Sequence, residues 1–293
     1  MSVSVIRSKL HPPDLPGGHV PRPHLIERLQ AGIRKRLTLV VASAGYGKST
    51  LMAEWAQSHE RVLWYSLDTT DSDPALFFAY LIAGLRELWP GFGSVTEANL
   101  NRPTPPDPER LILTLLGELE DALKLQSLLM VFDDFHRLRG APSLDRAMGV
   151  FLERLPSSVH VAISSRSPIS FPTARLSVAE QLIELTQVDL SFNPDEIRRF
   201  FHPVVAMSTG LQELAERTEG WIAGLQVIRQ ASAYPGHLDP QVMLRGPTGP
   251  PEQVYRYLAE EIFEQQPEPL REFLTQTAIL ETFSPADSDA IFG

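Results

Sequence analysis

The segment Ala42-Ser43-Ala44-Gly45-Tyr46-Gly47-Lys48-Ser49-Thr50 gathers the residue types that hold phosphate. It matches the spacing G-x-x-x-x-G-K-[ST], with Ala42 where the pattern has its first glycine. Gly45 and Gly47 permit a left-handed backbone, which turns N–H groups inward around anionic oxygens. Lys48 is then expected to reach the β- and γ-phosphates of a nucleotide, and the Ser49 hydroxyl to bind Mg²⁺. A helix opening near Gly47 would aim its positive end at the same anion. Ala44, Gly45, Tyr46, Gly47, Lys48, Ser49 and Thr50 are therefore the candidate cofactor-binding segment.

Two further signals have the right company. Leu128–Phe132 is an apolar run that ends in Asp133-Asp134. Asp133 is expected in the Mg²⁺ shell, and Asp134 is expected to orient or polarise an attacking water. Val159–Arg166 delivers Ser164, Ser165 and Arg166 at the carboxyl end of a strand, where ligands sit in open α/β sheets. Arg166 is the candidate sensor of a γ-phosphate. Lys48, Asp134 and Arg166 form the candidate catalytic set, and Ser49 with Asp133 the candidate metal set.

These residues need strands and helices to hold them. Leu37–Ala42, Leu128–Phe132 and Val159–Ser164 are apolar runs of strand length, of the kind that suits parallel strands buried on both faces, and Arg61–Leu67 and Leu182–Leu185 read as further strands. Helical patterns lie between them: residues 23–33, the stretch from the phosphate loop to about Gln57, the stretch that opens at Asp73-Pro74, residues 109–124, and Leu144–Leu155. Residues 1–22 read as an irregular arm and 90–108 as a Pro/Gly/Asn-rich loop. From about 190 the strands stop, and helices are expected near 194–202, 210–218, 221–232, 252–265 and 268–280. The fold class is α/β, a P-loop-type parallel sheet with helices on both faces followed by a small helical lid.

Composition limits the alternatives. At 293 residues the chain has room for roughly two domains. Its 26 basic and 36 acidic residues give a net charge of −10, which argues against strong nucleic-acid binding by this stretch itself. Absence of cysteine excludes disulfides, thiolate metal sites and cysteine nucleophiles. No apolar run reaches membrane-spanning length and no signal peptide opens the chain, so the cytoplasm is the expected location. His136 has no second histidine at ligand spacing and reads as a surface or supporting residue. Phe77, Phe78 and Tyr80 read as helix packing, and Arg137 and Arg139 as solvated. Patterns for zinc proteases, α/β-hydrolases and calcium loops are absent.

Taken in order, VPRPHLIERL, VVASAGYGKSTLMAEW, LWYSLD, LLMVFDDFH, VAISSR and TEGWIAGLQ resemble the large ATP-dependent LuxR-type transcription activators, of the STAND class of signal-transduction NTPases. The resemblance covers nearly the whole chain. It implies a resting state held by ADP, opened by an unknown effector with ATP, and self-association in the ATP state. It places the Arg166 strand between the phosphate-loop strand and the Asp133 strand. Val20, Pro21 and Arg22 would lie at the adenine, and Trp221 would occupy a base-side motif, here without that motif's proline. It also implies a domain order: 1–190 the NTPase domain with its arm, 191–233 a helical lid, 234–251 a linker, and 252–293 the start of a winged helix. The chain is thus expected to be the N-terminal portion of a regulator whose effector sensor and DNA-binding helix-turn-helix lie beyond it.

Two other readings use the same loop. A small-molecule P-loop kinase would need an arginine-rich lid, and Arg198, Arg199, Arg217 and Arg229 are not tightly clustered. A non-hydrolysing nucleotide scaffold would fit Ala42 and the aspartate, rather than glutamate, at 134.

Overall fold

The computed structural model describes residues 5–124, 126–202, 218–232, 263–264 and 267–278. The chain divides into two compact units, Met1–Phe192 and Asn193–Gly293. The first unit is built on strands β1 (Leu37–Val41), β2 (Val62–Ser66), β3 (Leu128–Asp133), β4 (Val159–Ser165) and β5 (Leu182–Thr186). They form a parallel sheet in the order β2-β3-β4-β1-β5. The β4 strand therefore lies between β1 and β3, as the resemblance implied.

Alternation along the strands decides what each face meets. Leu37, Leu39, Leu63, Tyr65, Met130, Phe132, Val161 and Ile163 join one core with α3 (Pro74–Leu88), α5 (Pro108–Leu123) and α6 (Pro142–Arg154). Phe77, Phe78 and Tyr80 are buried in it, as helix packing requires. On the opposite face Thr38 and His160 form a buried polar pair at 2.9 Å, and the Trp55 ring meets the His160 ring edge-on at 5.6 Å. Trp55 belongs to α2 (Lys48–Ala56), the helix that follows the phosphate loop.

The structure departs from the sequence reading in one place and adds to it in two others. The segment 90–108 is not all loop: it contains a helix, α4 (Ser94–Leu100). Its start is held from a distance, because Glu118 on α5 accepts the N–H groups of Val95 and Thr96 at 2.8 and 3.0 Å. The arm before α1 (Pro23–Ala31) is irregular as expected, apart from a 3₁₀ turn at Arg7–Leu10, and it is pinned to the sheet unit. The Lys9 ammonium pairs with the fully buried carboxylate of Asp71 and sits 4.4 Å from the Tyr80 ring centroid. Tyr65 donates its hydroxyl to the same carboxylate at 2.8 Å. Finally, two short helices flank β5, α7 (Ala174–Val178) and α8 (Gln187–Leu190).

In the second unit, α9 (Pro194–Phe201) begins at an Asn193 cap whose partner is Glu196, a reciprocal capping box. Helices also occupy Ile222–Ser232 and Glu268–Thr277. The helices expected near 210–218 and 252–265, and the linker at 234–251, lie wholly or almost wholly outside the described residues. Among the described residues no helix is long and apolar enough to cross a membrane.

Candidate functional site

The loop between β1 and α2 carries both glycines in left-handed conformation, Gly45 at φ +78° and Gly47 at φ +75°. A side chain at either position would strain the backbone. The turn reverses the chain so that α2 begins at Lys48. Lys48 is buried, and its ammonium donates to the Ser43 carbonyl at 3.0 Å. Burial depresses its pKa; Arg166 adds to that, while Asp134 and Asp133 oppose it. A cation folded onto its own loop in this way is poised to exchange a neutral carbonyl for an anion.

At the tip of β3 the Asp133 carboxylate accepts the Ser49 hydroxyl at 2.9 Å. The Ser164 hydroxyl on β4 donates to the same oxygen. Burial raises the Asp133 pKa, with the Asp134 charge adding to it and the two hydroxyls and Lys48 opposing. Ser164 also accepts the backbone N–H of Asp134 at 2.9 Å. Asp134 stands in left-handed conformation at φ +59°, ψ +40°, which is uncommon for a non-glycine residue. One buried serine thus fixes the first acid by its proton and the second by its backbone.

His136 lies beyond this pair, 3.8 Å from the Asp134 carboxylate. Neither imidazole nitrogen has a hydrogen-bond partner, and burial holds its pKa near about 4 against the pull of Asp134, with Arg166, Arg137 and Lys48 also lowering it. It is therefore neutral at pH 7. Among the described residues no group of three or more His, Asp or Glu could hold a metal ion. Arg166 follows directly after β4 and bears on both Lys48 and His136 electrostatically.

The remaining candidates fall elsewhere. Val20 is buried and Pro21 exposed. The Arg22 guanidinium is buried and donates to the carbonyls of Leu190, Asp189 and Ser191 at 2.8, 3.2 and 3.2 Å. Its side chain thus gathers the carbonyls at the end of α8, and its own carbonyl accepts the N–H groups of Leu25 and Ile26. Trp221 belongs to the second unit and is half-buried. Its ring covers Gly224, where an added Cβ would meet it at 2.6 Å. Two polar partners went unread in the sequence: the relay role of Ser164, and Gln187, which touches the phosphate loop from α8.

A parallel sheet in this strand order, with a Gly-rich loop and lysine after β1 and an aspartate at the tip of β3, defines the P-loop NTPase fold. Comparison with known proteins narrows this. The chain is 31% identical over 287 residues to the HTH-type transcriptional regulator MalT of Yersinia pestis (strain Pestoides F), a match that covers 96% of this chain. The MalT regulator of Yersinia enterocolitica is likewise 31% identical over 287 residues. MalT-like transcriptional regulators are therefore homologues of this chain. The chain spans 31% of the length of these relatives. Residues 259–293 match the MalT winged helix domain. Among solved structures, the replication initiator DnaA bound to AMPPCP and single-stranded DNA aligns with a TM-score of 0.45 at 13% identity, over 87% of this chain and 76% of that one. The Aeropyrum pernix ORC1 protein in complex with DNA aligns with a TM-score of 0.44 at 14% identity, over 88% of this chain and 71% of that one.

Proposed function

We propose that this chain is the nucleotide-binding switch of a MalT-like transcription regulator, a slow ATPase that binds ATP and ADP with Mg²⁺. The observation that carries this is the Ser49–Asp133–Ser164 relay beside a left-handed glycine loop and a buried lysine. Ser49 and Asp133 supply adjacent hard oxygen donors, which suits Mg²⁺, an ion that keeps several waters and takes few protein ligands. Ser49 and Asp133 would hold the ion, which would supply positive charge to offset the negative charge of the phosphates.

The residues then divide the work. Loop N–H groups from Ala44 to Thr50 hold the β-phosphate. Lys48 leaves the Ser43 carbonyl for phosphate oxygens. Asp134 orients the attacking water, and the neutral His136 beside it adds no competing positive charge. Arg166 reads the γ-phosphate from the end of β4. The stretch Val20, Pro21 and Arg22 is assigned to the base side. ATP and ADP favour different arrangements of the two units, and each nucleotide shifts that equilibrium only by its differential affinity. Hydrolysis acts as the reset. We assign effector sensing and DNA contact to other regions of a longer regulator, because a net charge of −10 opposes phosphodiester binding here. Self-association in the ATP state and a cytoplasmic location accompany this role.

Single-turnover hydrolysis of ATP tests the assignment. A slow, Mg²⁺-dependent reaction is expected, abolished in Asp134→Asn while ATP affinity stays within about twofold. Equal turnover in Asp134→Asn and the parent chain would remove Asp134 from the mechanism.

A further inference from the structure

We propose that Gln187 is a positioning residue for the phosphate loop: its amide holds the loop in the shape that receives phosphate. This rests on the nucleotide-site reading above and deepens it. The Gln187 side chain accepts the Ser43 N–H through Oε1 at 3.2 Å and donates from Nε2 to the Tyr46 hydroxyl at 3.0 Å. These contacts span 144 and 141 residues of sequence. Ser43 thus has both backbone groups held by side chains, its N–H by Gln187 and its carbonyl by Lys48. Tyr46 lies between the two left-handed glycines, and its side chain is almost fully buried.

Gln187 is well placed to act because α8 is fixed at both ends. At its start the Asp189 carboxylate accepts the Thr186 N–H at 2.7 Å and the Thr186 hydroxyl at 2.9 Å, while Arg28 pairs with the same carboxylate at 2.5 Å. At its end three carbonyls are gathered by the Arg22 guanidinium. Charge-assisted bonds of this kind hold a short element that could not persist alone. One four-residue helix therefore ties the arm that carries Val20-Pro21-Arg22 to the loop that carries Lys48. Val188, the next residue, is 84% exposed, while Leu190 at the end of α8 is fully buried and anchors the helix in the core.

The consequence is energetic. A loop already curled around the anion position spends less ordering entropy on binding. Gly45 and Gly47 make that loop intrinsically permissive, so the support must come from outside it. Losing two neutral hydrogen bonds should weaken nucleotide affinity about tenfold. Gln187 acts on the loop rather than on any one phosphate. The loss should therefore be the same for ATP and ADP.

Calorimetric titration of the full chain with ATP and with ADP, each with Mg²⁺, tests this on Gln187→Leu, Tyr46→Phe and the double variant. Gln187→Leu should weaken both nucleotides about tenfold, with their ratio unchanged within about twofold. Tyr46→Phe breaks one of the two bonds without changing shape and should lose about threefold. Because the two side chains share a bond, the double variant should lose less than the product of the single losses. If Gln187→Leu does not fold, the Tyr46→Phe loss alone decides. Unchanged affinity in these variants, strictly multiplicative losses, or a change in the ATP-to-ADP ratio would overturn the proposal while leaving the site reading intact. Binding of neither nucleotide by the parent chain would overturn both.

Discussion

Ser164→Ala should be among the most damaging single-atom deletions in the first unit. The removed hydroxyl is fully buried, donates to the Asp133 carboxylate and accepts the Asp134 N–H. A bond to a charged acceptor contributes about 1.5–3 kcal/mol, and an orphaned buried N–H costs about 1–3 kcal/mol. Together they predict a loss of about 4 kcal/mol, a large part of a typical domain's stability. The loss should also depend on pH. Burial already raises the Asp133 pKa, and Ser164 opposes that rise. Without Ser164 the folded-state pKa climbs further above its unfolded value, so the folded state binds a proton more readily than the unfolded chain. Stability contributed by this group is then lost as pH rises through the folded pKa. The gap between Ser164→Ala and the parent should therefore be widest at neutral pH and narrow in acid. Urea unfolding at a series of pH values measures it, with Ser164→Cys as a shape-preserving control. A destabilisation under about 1 kcal/mol at pH 7, or one that does not change with pH, would refute the relay.

Other expectations follow from the same packing. His160 is held neutral, with burial lowering its pKa from 6.5 to about 4. Between those values the unfolded chain takes up a proton that the folded chain refuses. Stability should thus fall by about 2 kcal/mol from pH 7 to pH 5 on this account, and His160→Gln should remove that part of the slope in urea titrations. Lys9→Ala leaves the buried Asp71 carboxylate without its cation. A loss of about 3 kcal/mol is expected, and limited proteolysis should then cut within residues 5–22 before any cut in the sheet.

The sheet was readable because strands buried on both faces carry predominantly apolar runs, as in Leu128–Phe132 and, with Thr38 as its one polar residue, Leu37–Ala42. Chemistry at their carboxyl ends was readable for the same reason: Asp133-Asp134 follows its run directly, Arg166 one residue later, and Lys48 after the glycine loop. What stayed hidden depends on partners far away in sequence. The α4 helix has a short, unremarkable local pattern, and its first turn is satisfied by Glu118 on another helix. Ser164 reads as one polar residue at a strand end until β3 and β4 are paired, when it falls beside Asp133. Gln187 carries no local signal, because its meaning comes from the pairing of β5 with β1, which brings α8 beside the phosphate loop. The resemblance puts Arg22 in the base-side stretch, and its guanidinium donates to three backbone carbonyls. Nothing in the local spacing signals that use of a buried arginine.

Direct calorimetric titration of the purified chain with ATP and ADP in the presence of Mg²⁺, with Lys48→Ala alongside, tests the central claim. The account predicts binding of both nucleotides in the micromolar range, lost in Lys48→Ala while its circular dichroism stays that of the parent. A folded chain that binds neither nucleotide, or that binds both equally well without the Lys48 ammonium, would contradict it.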